Sequence, residues 1–169
     1  MIIMKFGGTS VEDAAALENV CGIVAQHAEH PPFVVLSACA GVTNKLIEAV
    51  RTAAEGDAAG GSAILEELRH RHLTISKRLL RGGRHAVDAQ LNEEFDLLDR
   101  LAQSVAVLRE VTPRTLDQFA ASGRTVVVSP PLIRPHRARC AGIVAGRTPG
   151  YDNRRPFHAG TTDHRTCCG

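Results

Sequence analysis

The feature that most constrains the fold is a repeated order of apolar segment, small-residue turn and amphipathic helix. Apart from Lys5, residues 2–6 are apolar and lead into Gly7-Gly8, and the apolar residues 33–36 lead into Ser37-Ala38-Cys39-Ala40-Gly41. Both segments have the composition of buried strands, and the second resembles a strand covered on both faces. A helical pattern follows each turn, with the second helix predicted over residues 44–54. This order predicts an α/β fold with a parallel sheet and right-handed crossovers.

Further helices are predicted along the next part of the chain. Ser10 is placed to cap the first helix, and residues 56–61 have the composition of a small-residue linker. Two longer apolar stripes, within residues 64–79 and 87–108, predict an antiparallel helix pair. Thr112 followed by Pro113 predicts the start of a short fifth helix.

The net charge of +2 averages two unlike pieces. Residues 1–121 hold 12 Lys and Arg against 16 Asp and Glu, whereas residues 122–169 hold 8 Arg against 2 Asp. The second piece also contains five of the eight Pro and three of the five Cys. We therefore divide the chain into an ordered N-terminal part, residues 1–121, and an atypical tail, residues 122–169, that we expect to be disordered.

Composition also excludes several classes of protein. No apolar run is long enough for a membrane span, and the N-terminus carries no signal-peptide pattern, so we expect a soluble, cytoplasmic protein without a membrane partner. Six aromatic residues are too few for a base-stacking platform, and we expect no nucleic-acid partner. The Cys and His residues of the tail match no paired zinc-ligand spacing, so no metal ligand is assigned.

The two turns are the places where chemistry is expected. Paired glycines at Gly7 and Gly8 allow close backbone approach to an anion, and Lys5 adds a positive charge. Ligands of parallel sheets bind outside the carboxyl ends of the strands, where Ser37 and Thr43 would meet a polar substrate. The alternatives are a plain Gly-Gly turn with a solvated lysine, and a Thr43 that merely caps the next helix.

Both stretches together resemble one known family. Lys5-Phe6-Gly7-Gly8-Thr9-Ser10-Val11 and Val34-Val35-Leu36-Ser37-Ala38-Cys39-Ala40-Gly41-Val42-Thr43-Asn44 resemble the opening motifs of aspartate kinases, within the amino-acid kinase fold. The helical region through residues 112–117 is also similar to the aspartate kinase pattern. The resemblance implies an incomplete three-layer α/β/α amino-acid kinase fold, with a parallel-type sheet core and a helical insertion.

The resemblance also implies an activity and a set of site residues. It implies transfer of the ATP γ-phosphoryl group to the side-chain carboxylate of L-aspartate with Mg²⁺, the entry to lysine, threonine and methionine biosynthesis. Lys5 would stabilise the transferring phosphoryl group. The phosphate site would be lined by Phe6, Gly7, Gly8 and Ser10. Ser37 and Thr43 would hold aspartate, and the intact enzyme would be a homo-oligomer.

The tail departs from this pattern in a way that the genetic code explains. The family has a Gly-Glu pair whose carboxylate binds the substrate amino group, but here Gly123 is followed by Arg124. Reading the last two bases of each codon with the first of the next allows Gly-Glu-Arg-Ser-Ser from residues 123–127 and Val-Met-Ile-Thr-Asp-Asp-Arg-Phe from residues 150–158. Both strings resemble later aspartate kinase segments. We interpret the sequence from about Ser122 onward as out of frame, and expect the chain to be truncated and inactive alone.

Three other functions stay open at this point. The chain can be a non-catalytic module that binds an anion or nucleotide, or an amino-acid kinase that acts on another carboxylate. A nucleic-acid partner that uses the arginines of the tail is the third.

Overall fold

The computed structural model describes residues 2–27, 29–30, 32–80 and 84–127, with side chains described as far as Gly123. Two strands and five helices follow one another in this part of the chain. They are β1 (Ile3–Phe6), α1 (Ala14–Ala25), β2 (Phe33–Leu36), α2 (Val42–Ala54), α3 (Ala58–Leu79), α4 (Arg84–Leu108) and α5 (Pro113–Val127). A 3₁₀ helix over Gly8–Val11 joins β1 to α1. None of the helices described is both long and apolar enough to cross a membrane.

The two strands pair in parallel, as the sequence predicts. Ile3 lies opposite Phe33 and Phe6 lies opposite Leu36, with α1 as the crossover between the strands. Side chains alternate between the two faces of the sheet. One face carries Met4, Phe6, Val34 and Leu36, which all contact the core. The described residues therefore form an incomplete α/β fold, with helices packed on one face of a small parallel sheet.

The opposite face of the sheet is more open than the sequence predicts. Ile3 is 62% exposed, and Phe33 and Val35 are only half-buried. The expectation of two fully buried strands is therefore wrong for the part of the chain that the structure describes. Its physical reason is that the described helices cover one face only, so the apolar side chains of the other face have no layer against them.

Helices α3 and α4 form the predicted antiparallel pair. Along the shared face, the Ser62 hydroxyl donates to Asp99 at the start of α3, and the Ser76 hydroxyl donates to Asp88 near its end. The apolar stripes meet between these polar contacts. Their buried members are Leu65, Leu68, Ile75, Val87, Leu91, Phe95, Leu98 and Val105. Leu108, the last residue of the predicted stripe, is exposed.

Two predicted helix starts are wrong. Ser10 lies within the 3₁₀ helix, and the first α-helix is capped instead by Asp13, whose carboxylate accepts a hydrogen bond of 2.8 Å from the Ala16 amide. The predicted linker over residues 56–61 is mostly helical, because Asp57 caps α3 by accepting from the Gly60 amide. Gly61 then lies so close to α2 that a Cβ atom would be 2.9 Å from the Ala49 carbonyl oxygen.

The fifth helix begins where the sequence predicts. The Thr112 hydroxyl accepts a hydrogen bond of 3.1 Å from the Thr115 amide, and Pro113 is the first helical residue. The helix continues to Val127, so the boundary between residues 121 and 122 falls inside α5. The expectation of a disordered tail concerns residues that, from 128 onward, lie outside those described.

Candidate functional site

The two small-residue turns lie side by side at the carboxyl end of the sheet. The Phe6 carbonyl accepts a hydrogen bond of 3.1 Å from the Ser37 amide, which extends the strand pairing by one step. The Gly8 carbonyl then accepts a hydrogen bond of 3.1 Å from the Ala40 amide. The turn of residues 7–11, here called the first turn, therefore contacts directly the turn of residues 37–41, here called the second turn. This is the juxtaposition that the sequence predicts.

The two glycines of the first turn differ in how much space surrounds them. A Cβ atom on Gly8 would lie 3.1 Å from the Ala38 carbonyl oxygen and 3.4 Å from the Ala40 amide nitrogen. Gly8 is thus needed for contact between the turns. A Cβ atom on Gly7, by contrast, would meet nothing within 4 Å. The backbone of Gly7 is therefore the part of this turn that a ligand can approach.

Lys5 lies on the open face of the sheet, next to the first turn. Its side chain is exposed, and it makes no ion pair or hydrogen bond with any residue that the structure describes. Ser10 is half-buried, and its amide donates to the Gly7 carbonyl at 3.0 Å. Phe6 is half-buried against the core on the other face. The first turn thus presents a cation and backbone groups, while Phe6 anchors it.

The second turn leads directly into α2. Gly41, with a φ of 79°, is the N-cap residue, and no side chain caps the helix. The alternative that Thr43 caps this helix is therefore wrong, because Thr43 is already inside the first helical turn. Ser37 and Thr43 are both half-buried. The first amide of α2, that of Val42, donates to the Cys39 carbonyl at 3.1 Å. The next amides have no capping side chain, which makes this end suitable for a carboxylate.

Helix α5 reaches the same place from another part of the chain. Gly123 packs against α2, so that a Cβ atom on it would lie 3.1 Å from Leu46 Cδ1 and 3.5 Å from Thr43 Oγ1. The position at which the family resemblance leads us to expect a Gly-Glu pair therefore begins beside Thr43.

Two residues that the sequence did not single out hold the turns together. Arg71 of α3 donates from Nη1 to the Ala40 carbonyl at 3.1 Å and from Nη2 to the Glu12 carbonyl at 2.8 Å. Cys39 is buried, and its thiol donates to the Val11 carbonyl at 2.8 Å. Burial raises the pKa of the Cys39 thiol to about 11, although the positive charge of Arg71 opposes the shift. No sequence pattern separates Arg71 from Arg69 and Arg78, the other arginines of α3.

Metal ligands are not gathered here. Within the described residues, no group of three or more His, Cys, Asp and Glu side chains is placed to hold a metal ion. The site consists instead of one lysine, the hydroxyl side chains of Ser10, Ser37 and Thr43, backbone amides and a helix end without a side-chain cap.

Comparison with known proteins points to a single family. The model of the amino acid kinase family matches residues 1–146. An aspartokinase of Chlamydia trachomatis is 39% identical over 100 residues, which are 59% of this chain and 22% of that protein. The chloroplastic aspartokinase 2 of Arabidopsis thaliana is 29% identical over 124 residues, 72% of this chain and 22% of that protein. The chain thus spans little more than a fifth of the length of these relatives.

A solved structure shows the same fold. Aspartokinase III of Escherichia coli, in complex with aspartate and ADP, superposes with a TM-score of 0.64 at 28% identity, over 75% of this chain and 27% of that one. The predicted incomplete amino-acid kinase fold is thereby confirmed, and the homology supports a kinase function. The chain belongs to the amino acid kinase family.

Proposed function

We propose that the two turns are part of the active site of an aspartate kinase, which transfers the γ-phosphoryl group of ATP to the side-chain carboxylate of L-aspartate. The observation that carries the proposal is the direct contact between the turns, through the Gly8 carbonyl and the Ala40 amide. The contact brings a cationic, glycine-rich turn next to an uncapped helix end. Similarity to a structure that holds aspartate and ADP supports the same assignment.

The first turn is proposed to bind the phosphates. The open backbone at Gly7 and the exposed ammonium of the neighbouring Lys5 suit a polyanion, and Ser10 adds a hydroxyl from the same turn. Phosphoryl transfer depends mainly on positioning and on stabilising negative charge. Lys5 is proposed to provide that stabilisation, because its charge is not neutralised by any described carboxylate.

The second turn is proposed to bind aspartate. The Ser37 and Thr43 hydroxyls and the amides at the start of α2 can hydrogen-bond a carboxylate. The acceptor is a carboxylate that is already ionised near neutral pH, since the ordinary pKa of aspartate is about 3.9. No general base is therefore required of the protein, and the work of the second turn is to orient the acceptor oxygen.

Mg²⁺ is implied by the resemblance, but the described residues do not form a site for it. Mg²⁺ is commonly held through substrate phosphates and water with only one or two carboxylates. The described residues hold no group of three or more His, Cys, Asp and Glu side chains placed to bind a metal ion, and the roles proposed for Lys5 and the two turns do not call on one. A homo-oligomeric intact enzyme and a cytoplasmic location stay predictions.

We also propose that the sequence from about Ser122 onward is an out-of-frame reading of an aspartate kinase gene. The proposal comes from the shifted-frame reading of residues 123–127 and 150–158. A Gly-Glu pair at residues 123–124 would start beside the second turn, because Gly123 packs near Thr43. The nucleotide sequence tests it. A shifted frame that runs open and encodes Gly-Glu-Arg-Ser-Ser is expected, whereas stop codons in that frame would contradict the proposal.

The experiment for the activity compares two lysines. Lys5→Ala and Lys45→Ala are made in the frame-corrected chain, and ADP release with aspartate is followed in a coupled assay. Lys45 is a suitable control because it lies on α2 and its ion pairs are with Glu48 and Glu67 at the surface. Lys5→Ala is expected to lower kcat by about two orders of magnitude, and Lys45→Ala by less than about twofold.

The results separate the proposed function from its alternatives. If the Lys5→Ala variant turns over aspartate at a near-normal rate, the proposed role of Lys5 is contradicted. Turnover with another carboxylate but not with aspartate would indicate a sibling kinase. Nucleotide binding without turnover on any carboxylate would indicate a binding module. The uncorrected 169-residue chain is expected to show no activity above background.

A further inference from the structure

We propose that Arg71, on the helical insertion, is a positioning residue that fixes the two turns relative to each other and so sets the distance between the bound nucleotide and its acceptor. The inference rests on the proposed function for the identity of the ligands, but the clamp itself rests on contacts alone. Arg71 touches no residue proposed to bind substrate, and it acts through the backbone.

The geometry of the clamp is that of one guanidinium between two carbonyl groups. Nη1 lies 3.1 Å from the Ala40 oxygen, in the second turn. Nη2 lies 2.8 Å from the Glu12 oxygen, directly after the first turn. Glu12 is also the residue that ends the 3₁₀ helix. A planar guanidinium presents its donors in a fixed fork, so that two acceptors bound to it are held at a fixed separation.

The other contacts between the two turns involve no charged group. Gly8 lies under the second turn with no room for a Cβ atom, and Cys39 donates to Val11 from the other side. Each of these is a neutral contact, whereas hydrogen bonds from a charged donor are roughly twice as strong. Arg71 is thus the charged link between the turns among the residues described.

Arg71 comes from a different part of the fold than the residues proposed to bind ligand. It belongs to α3, which packs on α2 and α4, and not to the strand-turn-helix units that carry the proposed ligand contacts. The helical insertion therefore contributes to the site without contacting ligand, by holding the loops that do. Loss of Arg71 should loosen the turns while leaving the packing of α3 intact.

Cys39 is a built-in reporter for the clamp. Its thiol is buried beneath the second turn with a raised pKa, so alkylation requires the turn to open. The experiment measures site-resolved alkylation of the 169-residue chain with iodoacetamide, by peptide mass spectrometry, as the ratio of the Cys39 rate to the Cys21 rate. Cys21 lies in α1 and serves as an internal reference.

The variants are Arg71→Met, Arg71→Lys and the control Arg69→Met. Arg69 lies two residues earlier on α3 and binds Asp96 and Glu66, away from both turns. Arg71→Met is expected to raise the alkylation ratio by about tenfold or more, because two charge-assisted hydrogen bonds are lost. Arg71→Lys is expected to fall between Arg71→Met and the parent, and Arg69→Met to leave the ratio within about twofold of the parent.

A second arm measures binding of ADP and of L-aspartate to the frame-corrected chain and its variants by calorimetry, at a temperature where circular dichroism shows each variant folded. Arg71→Met is expected to weaken both ligands by about fivefold or more, and Arg69→Met neither. An unchanged alkylation ratio in Arg71→Met, or an equal rise in Arg69→Met, would overturn the clamp. A raised ratio with unchanged affinities would overturn its positioning role. A frame-corrected parent that binds neither ligand would contradict the proposed function, while the alkylation arm on the 169-residue chain still decides the clamp.

Discussion

Acidification should destabilise this protein through one buried imidazole, that of His72. The side chain is only 4% exposed, its Nδ1 lies 2.7 Å from the Leu68 carbonyl oxygen, and its ring packs 5.7 Å from that of Phe95. Nδ1 carries the proton and donates to Leu68, while Nε2 is buried without a hydrogen-bond partner in the part of the chain described. Protonation of Nε2 would therefore place an unsolvated charge between α3 and α4.

The expected loss of stability follows from the lowered pKa of His72. Burial, opposed by the hydrogen bond to Leu68 and reinforced by Arg71, lowers the pKa of His72 from 6.5 to about 4. Because the folded pKa lies below the unfolded one, the unfolded chain binds the extra proton first. The free energy of unfolding should thus fall as pH drops below about 6.5 and level off near pH 4, by about 3 kcal/mol in total.

The assay is urea denaturation followed by helical circular dichroism, at a series of pH values between about 7 and 4.5. His72→Leu should abolish most of the pH dependence in this window, whereas the control His70→Leu, which removes an exposed imidazole of α3, should retain it. Burial raises the pKa of Asp88, but hydrogen bonds from Ser76 and Arg84 outweigh it and leave that pKa below 3.8, so its contribution is lost only at lower pH. A parent chain whose stability does not change over this window, or a His72→Leu variant with the parent's slope, would show that His72 is not the source of acid destabilisation.

Two pairs of substitutions test the first turn and the helix after it. Gly8→Ala should weaken ADP binding by about tenfold and lower stability by about 1 to 3 kcal/mol, because the new Cβ atom would press on the Ala38 carbonyl, while Gly7→Ala should leave the melting temperature nearly unchanged. Calorimetric titration and thermal unfolding of both variants measure this, and equal effects would contradict it. Asp13→Ala should cost about 1 kcal/mol through loss of the cap of α1, whereas Ser10→Ala should cost less; chemical denaturation decides, and the reverse order would show that Ser10 is the cap.

Much of the local structure is predictable from the sequence because it depends on near neighbours. The apolar period of three and four residues places α3 and α4, and Thr112 with Pro113 marks the start of α5. The two strands and the contact between their turns follow from the parallel topology, in which carboxyl ends of neighbouring strands share one edge.

Other features depend on tertiary contacts that no local pattern carries. Gly61 belongs to a stretch with the composition of a linker, yet it lies inside α3. Glycine is needed there because α2 passes too close for a side chain. The exposure of Ile3 depends on which layers cover the sheet, not on the apolar character of the strand. Arg71 has the sequence context of a solvent-facing helix residue, and only the packing of α3 beside both turns reveals its two backbone partners.

The two turns together are proposed to form one site for nucleotide and aspartate. The most direct test is calorimetric titration of the frame-corrected chain with ADP in the presence and absence of L-aspartate, repeated with Lys5→Ala and Thr43→Val. Lys5→Ala is expected to weaken ADP binding and Thr43→Val to weaken aspartate binding. Each ligand is expected to alter the affinity of the other, because the turns are in contact. If the parent binds both ligands and neither substitution changes either affinity, the two turns do not form the proposed site.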